Sequence, residues 1–241
     1  MKKIKKLLVL LFNVFYLKAL LMGCAAAIEH RLFFKNFKNL EVKTIIDIGA
    51  NKGQFSLIAK KFFPNASIFA FEPLARPFQK FLKIFNTIEN VKIYKYAIGP
   101  FDDEVTMNIS NREDSSSILE IGHLQNKIFP GTSKINEEKV YISPIDKLLE
   151  TSNIHNPSLL KIDVQGYELE VLKGCKSILD KIDYIYCECS FIELYKNQAI
   201  YSQVCEWLYD HNFSVTSIYN PSYDHKGQMV QADIYFKKNK K

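Results

Sequence analysis

Thr44-Ile45-Ile46-Asp47-Ile48-Gly49-Ala50-Asn51-Lys52-Gly53-Gln54-Phe55-Ser56 is the stretch that decides the fold. Its first five residues are β-branched or apolar apart from one acid and do not alternate, the pattern of a strand covered on both faces of a parallel sheet. Gly49 follows at once, and Gly53 opens a helix expected over roughly 53–62. A strand, a glycine turn and a helix N-terminus together make a cradle for a nucleotide-like ligand.

The spelling of the turn narrows the ligand. Dinucleotide folds use G-x-G-x-x-G to approach a pyrophosphate, whereas here an acid at the strand end precedes Gly49 and Gly53, and that acid would repel a pyrophosphate. Asp47 suits a ligand with an ammonium group, such as the methionine part of S-adenosylmethionine. A nucleotide-binding α/β unit should also carry an acid about 20 residues later, at the end of its second strand, to bond the ribose hydroxyls. Ser67-Ile68-Phe69-Ala70-Phe71-Glu72-Pro73 supplies Glu72 at that place.

A third piece, Lys161-Ile162-Asp163-Val164-Gln165-Gly166-Tyr167-Glu168 with Leu172-Lys173-Gly174 behind it, completes a resemblance. With Ile46–Gly53 and Phe71–Pro73, it resembles the FkbM-type S-adenosylmethionine-dependent methyltransferases over roughly residues 40–236. The resemblance implies an α/β, Rossmann-like class I methyltransferase: a mostly parallel seven-stranded sheet with a terminal antiparallel hairpin and helices on both faces. It implies S-adenosylmethionine as cofactor, bound by Asp47, Gly49, Ala50, Asn51, Gly53, Phe55, Glu72, Pro73 and Asp163. It also places Ala97 and Ile98, after a third strand over 91–97, against the adenine, and it implies O-methylation of a sugar, surface glycan or secondary metabolite.

In an open α/β sheet the ligand crevice lies beyond the carboxyl ends of the strands, so Asp47, Glu72 and Asp163 are expected to face one cleft. For an alcohol acceptor a carboxylate within hydrogen-bond reach is a plausible base, with Asp163 first and Glu168 and Glu188 next. Glu168 has a second reading as an acid favoured by a helix N-terminus. Glu188 sits in the apolar run Tyr184–Cys189, where a carboxylate is costly unless paired or protonated. No histidine lies on a motif, and no ligand spacing calls for a metal.

The rest of the chain is read as one domain, 39–241, behind an N-terminal helical extension, 1–38. A substrate-side insertion is expected at about 102–142, because Glu104–Ile109 and Glu138–Ile142 alternate like half-exposed antiparallel strands around a long polar loop that contains Ser115, Ser116 and Ser117. Phe213–Tyr219 and Gln231–Phe236 read as the closing hairpin. The net charge of +6 is concentrated at the ends: eight of the 32 basic residues are terminal lysines, which leaves 24 against 26 acidic residues. A nucleic-acid footprint across the body is therefore not expected. The five cysteines have no zinc spacing and read as reduced packing residues.

Met1 to Cys24 admits more than one reading. Lysines followed by an apolar run fit a helix covering the domain or a partner subunit, or a helix on the inner membrane surface of a cytoplasmic protein. They also resemble an export signal, which Asn13, Lys18 and the short apolar run argue against. A nicotinamide oxidoreductase is disfavoured by the missing G-x-G-x-x-G. A membrane-associated binding or assembly protein that keeps the pocket without the chemistry is the alternative of a different class.

Overall fold

The computed structural model describes residues 14–239. Two sheets organise it. The larger runs in the order β3-β2-β1-β7-β8-β10-β9, where β1 is Thr44–Ile48, β2 Ser67–Phe71, β3 Val91–Tyr94, β7 Ser158–Ile162, β8 Tyr184–Ser190, β9 Phe213–Tyr223 and β10 Met229–Lys238. The first five of these in spatial order are parallel neighbours, and β10 is antiparallel to both β8 and β9. All five residues of β1 and of β7 are buried, as mainly apolar strands covered on both faces require, and the charged Asp47 and Lys161 are buried with them.

Chain order departs in opposite directions from β1, toward β2 on one side and β7 on the other. The crevice beyond the ends of β1 and β7 is thus a topological switch point, where open α/β sheets bind ligands. The helices lie on both faces. On one face are α1 (Val14–Leu21), α2 (Arg31–Phe37), α3 (Gln54–Phe62) and α4 (Ala75–Phe85), whose buried side chains join two apolar clusters that include Ile45, Ile68 and Ala70. On the other are α6 (Glu168–Gly174) and α7 (Tyr201–Asp210), packed over Ile46, Leu160, Ile185 and Ile234.

The strand expected over 91–97 divides. Val91–Tyr94 stays in the large sheet, while β4 (Ala97–Ile98) leaves it to pair with β6 (Lys134–Ser143) in a three-stranded sheet completed by β5 (Asp103–Ser110). The stretch between β5 and β6 is not a solvated loop. Ser115, Ser116 and Ser117 are buried, the Asn108 side-chain amide donates to the carbonyls of Ser117, Ile118 and Leu119, and Ser116 Oγ accepts from Ser110 N at 3.0 Å. The polar residues satisfy the backbone of a folded arm that also carries α5 (His123–Ile128).

Residue 38 does not mark a boundary of packing. Phe33, Phe34 and Phe37 are buried, and Phe33 stacks on Tyr186 of β8 with ring centroids 4.0 Å apart. Tyr16 and Ala19 of α1 pack with Phe81 and Phe85, while Val14 and Leu21 stay exposed. The lysine-rich start of the chain, 1–13, lies outside the described residues. Among the described residues no helix is long and apolar enough to cross a membrane. All five cysteines are free thiols.

Candidate active site

A cavity of about 590 Å³ opens over the switch point. The turn after β1 forms one part of its wall. Gly49, at φ +76°, lies so close to β7 that a Cβ there would sit 1.9 Å from the Asp163 carbonyl oxygen, so only glycine lets the two strand ends meet. Gly53, at φ +95°, is required for a different reason: a Cβ would meet Phe85 at 2.5 Å, and the residue is not on the cavity wall. Ala50, Asn51 and Phe55 are on that wall.

Glu72 ends β2 as expected and lines the cavity with Pro73. Its two oxygens accept separately, Oε2 from Asn51 N at 2.9 Å and Oε1 from Leu74 N at 2.8 Å. Burial, against those two N–H donors, pushes its carboxyl up to about 7. Phe71, Tyr96, Ala97, Ile98 and Val164 give this end of the cavity an apolar lining.

Asp47 is placed differently from the sequence expectation. It has no exposed surface and does not line the cavity. Its carboxylate accepts from Ser56 Oγ at 2.7 Å and pairs with Lys161 Nζ at 3.2 Å, so the cation it meets belongs to the protein. Lys161 also lies 3.5 Å from Asp163 Oδ2 and donates to Gly49 O at 3.2 Å. Burial alone would lower the Lys161 ammonium, but Asp47 and Asp163 more than offset it and hold it above its ordinary value. A single lysine in the run Leu159-Leu160-Lys161-Ile162 was the signal available in sequence, since a charge in a buried strand must be paired.

Asp163 and Glu188 both line the cavity, and one residue joins them. Gln165, at φ +56°, donates from Nε2 to Asp163 Oδ1 at 2.9 Å and to Glu188 Oε2 at 2.6 Å. Its Oε1 accepts from Tyr195 Oη at 2.9 Å, and the same hydroxyl lies 3.0 Å from Ser115 O in the arm. Glu188 Oε2 takes a second amide donor, Gln231 Nε2, at 2.8 Å. Burial, then Asp163 and Asp233, push the Glu188 carboxyl well above the ordinary carboxylate range. Glu188 and Asp233 are directly opposed across β8 and β10, an unfavourable pairing of acids that a purely structural site would avoid.

Glu168 is not brought to the cavity. Buried at 3% exposure, it turns back on its own loop and accepts from Gly166 N at 2.9 Å and Val164 N at 3.4 Å, which is the helix-start role. Among the described residues no group of three or more metal-ligating side chains converges.

The model of the methyltransferase FkbM domain family matches residues 47–215. The chain belongs to that family. Among similar proteins, the 2-O-methyltransferase NoeI of Sinorhizobium fredii is 26% identical over 165 residues, which cover 64% of this chain and 66% of NoeI. The hexuronic acid methyltransferase AglP of Haloferax volcanii is 26% identical over 146 residues, covering 59% and 54% of the two chains. The matched part thus spans no more than about two thirds of either relative. The crystal structure of methyltransferase FkbM from Methylobacillus flagellatus KT shares the fold with a TM-score of 0.53 at 14% identity, over 81% of this chain and 44% of that one.

Proposed function

We propose that the protein transfers a methyl group from S-adenosylmethionine to a hydroxyl of a sugar or similar polyol. The observation that carries this reading is that one cavity at the switch point is lined both by Glu72 with apolar neighbours and by a cluster of polar groups. An apolar end beside Glu72 suits a nucleoside, and a polar end built on Asp163, Gln165 and Glu188 suits a hydroxylated acceptor. The cofactor fits the residues present. Each Glu72 oxygen, already fixed by one backbone N–H, keeps a lone pair for a ribose hydroxyl. Ala97 and Ile98 offer the flat apolar contact that adenine needs, and Asp163, in place of the inward-facing Asp47, is the acid available to an ammonium group. The sugar class rests on the family resemblance and on the hexuronic acid named for AglP.

Bound there, S-adenosylmethionine supplies an electrophilic methyl carried on a sulfonium. The protein's part is alignment and removal of one proton. Asp163, held beside Lys161, accepts a hydrogen bond that orients the acceptor hydroxyl. Glu188, open to the cavity beside Asp163, takes the proton that the acceptor hydroxyl loses.

Calorimetric titration of the full-length protein with S-adenosylmethionine, S-adenosylhomocysteine and NAD tests the cofactor. Micromolar binding of the first two, weakened at least about tenfold in Glu72→Ala, is the expected result. Binding of NAD alone, or of none, would remove the reading.

A further inference from the structure

Among the described residues, every cation at the acceptor end of the cavity already lies beside an acid of the protein. Its walls come from the ends of β7 to β10, with Asp163, Gln165, Glu188, Asn220, Gln231 and Asp233 facing in. Among the described residues, the buried cation near them, Lys161, is committed to Asp47, Asp163 and the Gly49 carbonyl. Arg112 lies at the rim with its side chain 52% exposed and paired with Asp114. His30 has its Nδ1 within 3.0 Å of Tyr186 Oη and 3.4 Å of Asp233 Oδ2, so it already faces an acid of the protein.

Two backbone donors of the adjoining turn are taken as well. The turn from Val164 to Gly166 leads into α6, where free N–H groups would offer a seat for an acceptor carboxylate or phosphate. Glu168 fills that seat, taking both Gly166 N and Val164 N. On the cofactor side Glu72 takes Asn51 N and Leu74 N in the same way. An anionic group entering this space would meet Asp163 and Asp233 with no charge-assisted partner, and desolvation would be uncompensated.

Resting on the methyltransferase reading above, we infer that the acceptor is an uncharged or amine-bearing sugar, and that Asp163, Glu188 and Asp233 select against acceptors bearing a carboxylate or phosphate. In this respect the chain departs from AglP, whose name specifies a hexuronic acid.

The test offers full-length protein, saturated with S-adenosylmethionine, methyl glucoside, glucosamine and glucuronic acid as alternative acceptors, and follows S-adenosylhomocysteine release. kcat/KM for glucuronic acid should fall below that for the other two by at least about tenfold, and added salt should narrow the gap. Ser222→Lys, which introduces an ammonium into the same wall, should narrow it further by raising turnover of the acid. Glucuronic acid used as well as the neutral sugar, or a ratio that neither salt nor Ser222→Lys moves, would overturn the inference. Failure of all three acceptors with the cofactor still bound would overturn the sugar reading beneath it, and failure to bind the cofactor would overturn the methyltransferase reading itself.

Discussion

Lys161 on β7 holds its ammonium 3.2 Å from the carboxylate of Asp47 on the neighbouring β1, with the two side chains 5% and 0% exposed. The pair ties together the two strands whose ends define the switch point. Removing one partner leaves the other charged and buried, which costs about 3–5 kcal/mol. Lys161→Met should therefore lower the unfolding free energy by about that much in urea titration, and S-adenosylmethionine affinity should fall with it because Gly49 loses its anchor.

Burial raises Glu72 and Glu168 to about 7. In the unfolded chain each would ionise near the ordinary glutamate value of about 4.3. Between those two values the folded state binds more protons than the unfolded one, so stability falls as pH rises through the window. For Glu168 the shift corresponds to about 3–4 kcal/mol. Urea midpoints at pH 5 and pH 8 should differ less in Glu168→Gln than in the parent protein, since the glutamine oxygen can still accept from Gly166 and Val164 but does not titrate.

Gly49→Ala forces a methyl group to 1.9 Å from the Asp163 carbonyl and places a Cβ at φ +76°. Either β1 and β7 part at their ends or the turn refolds. A loss of at least about 2 kcal/mol in stability and of detectable cofactor binding is expected by thermal melting and calorimetry.

Tyr195 reaches Gln165 and the Ser115 carbonyl from outside the reacting groups, and so acts as a positioning residue. Tyr195→Phe should cost about 1–2 kcal/mol in stability and release the Gln165 amide from its fixed orientation. A fall of about tenfold in kcat, with cofactor affinity within a few-fold of the parent, is the expected kinetic signature. Gln165→Leu should reproduce the loss and also alter the acid limb of the pH–rate profile, because Glu188 loses an amide donor.

The parts of the site visible in sequence were those carried by local grammar. Thr44–Ile48 with Gly49, and Ser67–Phe71 with Glu72, each place a residue at a strand end within a few positions of their own signal. The closing hairpin and the antiparallel arm were equally legible, because alternation is a local property. The division of the third strand was not, since Ala97 and Ile98 pair with Ile142 and Ser143, some 45 residues away.

The direction each acid faces was a tertiary matter. Sequence put Asp47, Glu168 and Glu188 at plausible places. Only packing turned Asp47 inward to Lys161, folded Glu168 back onto its own turn, and opened Glu188 to the cavity beside Asp163. Tyr195, Gln231 and Asn220 carry no motif of their own, Gln165 lies in one without a role of its own, and their parts appear when four separate segments meet at one sheet end. The sequence by itself determined most of the strands, the glycine turns and the family. The tertiary structure decided which charges are spent inside the protein and which face the substrate, because a buried charge is settled by partners that the chain brings in from far away.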